Sequence, residues 1–128
     1  LLSDKSVSMA TIAKKIDNPD DIQNPNVVKL VKDRSGFALY FSRSPIPYFR
    51  NPEEGVVYKH FGLYAYTKDF LFTFTRLRKS MLEKTESLEQ LRVLENGYKI
   101  KVVEVTEDSV AVDTAEDLQK VRDILSNQ

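Results

Sequence analysis

The chain has 128 residues, of which 41% are hydrophobic and 30% are charged, values typical of one globular domain and not of a disordered tail. Its 19 basic and 19 acidic side chains cancel to a formal net charge of zero, which argues against binding to nucleic acid or to an anionic membrane surface. No cysteine is present, which excludes a disulfide framework, thiolate metal sites and thiol catalysis, and fits the cytoplasm. No stretch approaches the roughly 20 apolar residues of a membrane span, so we expect a soluble protein.

The first part of the sequence predicts strands separated by turns. An apolar, partly β-branched stretch at 7–16 predicts a strand that ends in a turn with a brief helical segment. Residues 26–32 and 37–42 then predict a β-hairpin, in which Gly36 is free to adopt positive φ. Three prolines in the segment 44–55 predict an extended loop, because proline lacks a backbone donor.

The next strand, residues 58–66, contains the only histidine of the chain and three of its six tyrosines. Because side chains alternate along a strand, we predict two different faces. One face carries Tyr58, His60, Gly62, Tyr64 and Tyr66, and the other carries Lys59, Phe61, Leu63 and Ala65. We expect the apolar face to cover a core, and the face with the imidazole and the phenols to leave room for a hydrogen-bonding ligand.

The following segments predict helices and a further strand. Thr67 can cap a helix over 68–77, and a second helix is predicted over 83–96 with Gly97 as its left-handed cap. Residues 99–105 predict a strand. A short apolar segment that leads to an aspartate, and then a last capped helix, are predicted to follow. The order of elements predicts a mixed α/β fold with much antiparallel pairing.

Several polar residues could carry chemistry, although each also has an ordinary structural interpretation. Asp113 lies between an apolar strand and a helix, where it could hold Mg²⁺ or simply cap the helix. Glu89 and Gln90 could bind the hydroxyls of a sugar, or lie on a solvated helix face. His60 could be a ligand-binding donor or a general base, but a half-buried structural histidine is the commoner case. Arg43 could bind a carboxylate or phosphate, or be a surface arginine.

Five motifs, in this order and at compatible spacing, resemble the CMP-Kdo synthetases, the 3-deoxy-manno-octulosonate cytidylyltransferases. They are NPNVVK at 24–29, ALYFSRSPIPY at 38–48, YKHFGLYAY at 58–66, LEKTESLEQLR at 82–92 and VDTAEDL at 112–118. The resemblance covers nearly the whole chain. An ordered set of this size is far more specific than any single motif.

The resemblance implies the carboxy-terminal part of a doubly wound nucleotidyltransferase sheet, with an antiparallel hairpin region for dimerisation around 42–47. It implies a cytoplasmic homodimer in lipopolysaccharide biosynthesis, which transfers CMP from CTP to Kdo and releases pyrophosphate. The family's amino-terminal half, with its CTP-binding loop and first metal aspartate, has no counterpart here. We therefore expect residues 1–128 to form a single partial domain.

By the same resemblance, His60, Tyr64, Glu89 and Gln90 line the Kdo pocket, Arg43 stands near it, and Asp113 is a catalytic ligand of the Mg²⁺ cofactor. Residues 114–115 are Thr-Ala where the family usually has Thr-Pro, a mild change at a helix start. Two alternatives remain open: a sugar-binding and dimerisation module without turnover, and a cytidylyltransferase for another acid sugar.

Overall fold

In the computed structural model, the described part of the chain comprises residues 7–106. Its elements are β1 (Met9–Lys15), α1 (Pro19–Gln23), β2 (Lys29–Lys32), β3 (Ala38–Ser42), β4 (Tyr58–Tyr66), α2 (Lys68–Arg76), α3 (Met81–Glu86), α4 (Leu91–Glu95) and β5 (Lys101–Val105). The predicted mixed α/β fold is confirmed. The predicted metal aspartate, Asp113, and the helix after it lie outside the described residues. None of the helices within 7–106 is long and apolar enough to cross a membrane.

The five strands form one sheet in the order β3-β2-β4-β1-β5. β1 and β5 are parallel, and the other neighbouring strands are antiparallel. The turn of the β2–β3 hairpin is built as predicted, with Gly36 at a φ of 87°. β4 has the bounds predicted from its alternation and lies in the middle of the sheet. Side chains from β4 therefore reach the interior on both faces.

The larger core lies on the face of β4 that carries the tyrosines, which differs from the expected arrangement. Tyr58, Tyr64 and Tyr66 pack against this core, which includes residues of α2, α4 and four strands. The apolar face of β4 covers only a small cluster around Ala10 and Ile12. The physical reason is that each tyrosine brings a large apolar ring, and only the tip of the ring is polar. A hydrogen-bonding site and a core thus share one face.

The predicted helix over 83–96 is wrong, because the chain forms two short helices here. α3 begins with a capping box between Ser80 and Glu83 and is followed by Ser87 as its C-terminal cap, whose φ of 56° is left-handed. α4 then begins at Leu91. In one continuous helix, Leu88 and Gln90 would point roughly 200° apart, so only one of them could face inwards. The break allows both side chains to be buried.

Candidate functional site

A cavity of about 430 Å³ opens where β4, the segment before β2 and the turn between α3 and α4 meet. It is lined by Asn26, Val27, Val28, Lys59, His60, Phe61, Gly62, Tyr64, Leu88 and Gln90. The volume falls within the usual range for small-molecule sites, about 300–1,000 Å³. Three of the sequence-predicted site residues, His60, Tyr64 and Gln90, contribute to this one cavity.

A bulge in β4 fixes the orientation of His60. Ile12 pairs with Phe61 and Thr11 pairs with Tyr64, so two residues of β4 have no partner opposite them in β1. The hydroxyl group of Thr11 lies 2.9 Å from the carbonyl oxygen of Leu63 and 3.3 Å from that of Phe61. The hydroxyl oxygen of Thr11 also lies 2.8 Å from Nε2 of His60.

The hydrogen-bond network favours one tautomer of His60. The carbonyls of β4 can only accept, so the network is best satisfied when the Thr11 hydroxyl donates to them and Nε2 of His60 donates to the Thr11 oxygen. Nδ1 therefore carries a lone pair. Burial lowers the pKa of His60 from 6.5 to about 4, so the ring is neutral at pH 7. In this state the imidazole can accept a hydrogen bond from a ligand hydroxyl at Nδ1.

Tyr64 lies beside His60, with ring centroids 5.4 Å apart, and Phe41 packs against the imidazole in an edge-to-face arrangement at 4.9 Å. Burial is the main reason that the pKa of Tyr64 is raised, and the nearby charge of Glu89 contributes in the same direction. The phenol therefore stays protonated and can donate a hydrogen bond. The aromatic packing holds both polar groups in fixed positions at the cavity wall.

Gln90 and Glu89 have different environments, although they are adjacent in the turn before α4. Gln90 is only 6% exposed and lines the cavity. Among residues 7–106, its side-chain amide has no hydrogen-bond partner, which is a costly arrangement for a buried polar group. Glu89 is exposed and lies outside the cavity lining. The buried amide is therefore the group whose hydrogen bonds a ligand would complete.

Two arginines fix the turn that presents Gln90. Arg92 of α4 donates two hydrogen bonds to the carboxylate of Glu83 in α3, at 2.9 and 2.6 Å, and its guanidinium lies over the ring of Phe74. The hydrogen bonds from Arg92 lower the pKa of Glu83. The break between α3 and α4 is thus a rigid turn.

Arg43, the second arginine, lies behind the cavity and not in its lining. Its guanidinium donates to the backbone carbonyls of Glu86 at 2.7 Å, Pro25 at 3.0 Å and Ser87 at 3.2 Å. Its backbone N–H donates to the Glu86 carboxylate, which also accepts from the hydroxyl of Tyr40. The structure therefore places Arg43 where it joins the two walls of the cavity. Its predicted contact with substrate remains a prediction.

The sequence did not indicate Thr11 or Arg92 as parts of the site. Gly62 within a strand was a usable signal for the bulge that recruits Thr11. Residues 7–106 contain no group of three His, Asp or Glu side chains that could hold a metal ion. The predicted magnesium ligand, Asp113, lies beyond this range.

Comparison with known proteins defines the class. Residues 1–100 match a family model described as cytidylyltransferase, and the chain belongs to this family. Among its relatives, the 3-deoxy-manno-octulosonate cytidylyltransferase of Chloroherpeton thalassium is 54% identical over 99% of this chain and 53% of its own length. That of Syntrophus aciditrophicus is 53% identical over 98% of this chain and 51% of its own length.

A solved structure is also similar. It is that of a CMP:2-keto-3-deoxy-manno-octonic acid synthetase complexed with CTP, with a TM-score of 0.78 and 42% identity. The match covers 98% of this chain and 52% of that one. The chain therefore spans about half the length of the relatives that it matches.

Proposed function

We propose that this chain is the carboxy-terminal half of a 3-deoxy-manno-octulosonate cytidylyltransferase, and that the cavity at β4 binds the acid sugar. The names of the relatives support the reaction, in which CMP passes from CTP to Kdo and pyrophosphate is released. The observation that carries the assignment to the cavity is the buried amide of Gln90, which lacks a partner within 7–106 and lies beside neutral His60 and protonated Tyr64.

These three side chains suit the hydroxyls of a sugar. Nδ1 of His60 accepts a hydrogen bond, whereas the phenol of Tyr64 and the amide of Gln90 can each donate and accept. With a pKa of about 4, His60 is a poor general base at neutral pH, so we assign it to orientation of the sugar. The exposed carboxylate of Glu89 would lie at the edge of the site, where it could accept a hydrogen bond from an outer hydroxyl.

The chemistry of the transfer requires charge neutralisation and an in-line approach of the sugar hydroxyl to the α-phosphate of CTP. Bound Mg²⁺ would supply this neutralisation, with Asp113 as a ligand from this chain. The described residues contribute by holding the sugar in one orientation. We further propose a cytoplasmic homodimer in lipopolysaccharide biosynthesis, with a doubly wound sheet and with 42–47 in the interface. An apolar cavity under this loop and the 88% exposed Tyr48 support that interface.

The substitution Gln90→Met tests whether the cavity binds the sugar, because it should weaken the binding of Kdo without lowering the stability of the fold. Binding of Kdo to the 128-residue chain should weaken by about tenfold or more, since the amide contacts are lost. The free energy of unfolding should stay the same or increase, since a buried amide that has no partner within residues 7–106 is replaced by an apolar side chain of similar length. Calorimetry and urea denaturation measure the two quantities.

Gln23→Met, at an exposed position in α1 and outside the lining of the sugar cavity, is the matched control and should leave the Kdo affinity unchanged. Unaltered Kdo affinity of the Gln90→Met protein would refute the assignment. A nine-carbon acid sugar that binds more tightly than Kdo would favour the alternative substrate.

Turnover requires the missing half, so we would join the chain to the amino-terminal half of the Chloroherpeton thalassium relative. Pyrophosphate release from CTP and Kdo should then appear, and Asp113→Asn should abolish it without unfolding the protein. Near-normal activity of this variant would contradict the metal role. Release by the 128-residue chain alone would contradict its incompleteness, whereas Kdo binding without release in the joined protein would favour a sugar-binding module.

A further inference from the structure

Lys29 at the start of β2 is a fully buried lysine, with 0% of its surface exposed. Its Nζ donates hydrogen bonds to the backbone carbonyls of Asn24 at 2.9 Å and Val27 at 2.5 Å. An ammonium group is expensive to bury, so it is retained where its hydrogen bonds are well made. The partners of Lys29 are both in one short segment, residues 24–28.

This segment forms one wall of the cavity. Asn26, Val27 and Val28 line the cavity, and none of them is part of a helix or a strand. Backbone N–H groups bind this segment at three points: Asn24 donates to Asp21 at 3.3 Å, Val27 donates to Asn24 at 3.0 Å, and His60 donates to Val28 at 2.8 Å. Arg43 also donates to the carbonyl of Pro25 at 3.0 Å. Within residues 7–106, Lys29 is the only side chain that donates to the carbonyls of Asn24 and Val27, and it reaches them from the buried side of the segment.

We propose that Lys29 is a positioning residue for the acid-sugar cavity, whose buried ammonium group holds the wall segment 24–28 in the conformation that binds the sugar. This inference rests on the proposed function of the cavity. It assigns to Lys29 no contact with the sugar. Without the ammonium, the carbonyl of Val27 loses its donor, and the segment can reach an alternative partner only by moving away from its present position. Such a movement would displace the wall opposite Gln90.

The absence of cysteine from the chain allows a test at the level of single atoms. The variant Lys29→Cys can be alkylated selectively in the unfolded state and then refolded. Bromoethylamine restores an ammonium group at the length of lysine, whereas 1-bromopropane places a methyl group at the same position. The two products differ only in the group that meets the carbonyls of Asn24 and Val27.

Two readouts decide the proposal. The first is amide hydrogen exchange of residues 26–28 without sugar, which should be at least tenfold faster in the propyl protein than in the aminoethyl protein, while exchange in β1 and β4 stays the same. The second is the dissociation constant for Kdo, which should be roughly tenfold higher in the propyl protein and close to that of the unmodified chain in the aminoethyl protein.

Lys14→Met is the matched control, because Lys14 is also buried and donates to a backbone carbonyl, but lies by Asp17 and outside the cavity lining. It should lower stability and leave the Kdo affinity unchanged. Equal exchange rates of residues 26–28 in the two alkylated proteins would overturn the proposal. The proposal would also be overturned if the aminoethyl protein refolded and the propyl protein did not, since Lys29 would then be needed for the whole fold. Failure of the unmodified chain to bind Kdo would overturn the proposed function, and the exchange measurement would still decide whether Lys29 positions the wall.

Discussion

Acidification from pH 7 to pH 5 should lower the free energy of unfolding through one side chain, His60. In the folded protein, burial places its pKa at about 4, whereas the unfolded chain has the ordinary value of 6.5. Because the folded pKa is the lower of the two, the unfolded state binds the proton first. The stabilising contribution is therefore complete above pH 6.5 and is lost as the pH falls from 6.5 towards 4.

The size of the effect follows from these two values. Each pKa unit corresponds to about 1.4 kcal/mol, and the interval from pH 7 to pH 5 covers most of the window in which only the unfolded state is protonated. Proton linkage then gives a loss of about 2 kcal/mol. The carboxylates whose pKa is lowered, such as those of Asp17 and Glu83, change the free energy of unfolding mainly below pH 5, because their ordinary pKa values are 3.8 and 4.5.

Two measurements check this prediction. Since the chain has one histidine, a proton NMR titration gives one imidazole Cε1–H signal, and its midpoint should lie near pH 4. Urea denaturation at pH 7, 6 and 5 should show the loss of stability in the unmodified protein and a much flatter profile in His60→Gln. A midpoint near 6.5, or equal pH dependence of the two proteins, would refute the burial of a neutral imidazole at this site.

Two further substitutions test the architecture around the cavity by urea denaturation. Arg92→Met leaves the buried carboxylate of Glu83 without its ion pair, with only the N–H of Ser80 still donating to it, and should cost about 3 kcal/mol. A loss below about 1 kcal/mol would show that the turn is held by other contacts. Gly36→Ala should cost about 1–3 kcal/mol, because Gly36 has a φ of 87° and its added methyl group would lie 3.0 Å from Lys101. Gly62→Ala is the matched control and should change stability by less than about 0.5 kcal/mol, since no atom lies within 4 Å of its added methyl group.

The regular elements were predictable because their signals are local. The bounds of β4 followed from the alternation in 58–66, and the start of α2 followed from Thr67, whose hydroxyl accepts a hydrogen bond from the N–H of Phe70. The helix over 83–96 was predicted wrongly because Leu88 and Leu91 have helical spacing. Among the contacts that favour the break, those of Arg43 join residues more than 40 positions apart.

The candidate site was predictable only in part for the same reason. The strand pattern and the family resemblance pointed to His60, Tyr64 and Gln90, and the structure brings these residues to one cavity. Thr11 looks like an ordinary strand residue in the sequence, yet it determines the tautomer of His60 from 49 positions away. Lys29 looks like a surface lysine at the start of a strand, and only the fold shows that it is buried.

The most direct test of the proposed acid-sugar cavity uses the imidazole signal of His60 as a reporter. Kdo would be titrated into the 128-residue chain at pH 7 while this single resonance is followed by NMR. Because His60 lines the cavity together with Tyr64 and Gln90, we expect a saturable shift with the same dissociation constant that calorimetry gives. An unmoved His60 signal at a Kdo concentration that saturates the calorimetric titration would show that the sugar binds elsewhere, and an absence of binding by both methods would contradict the proposed cavity itself.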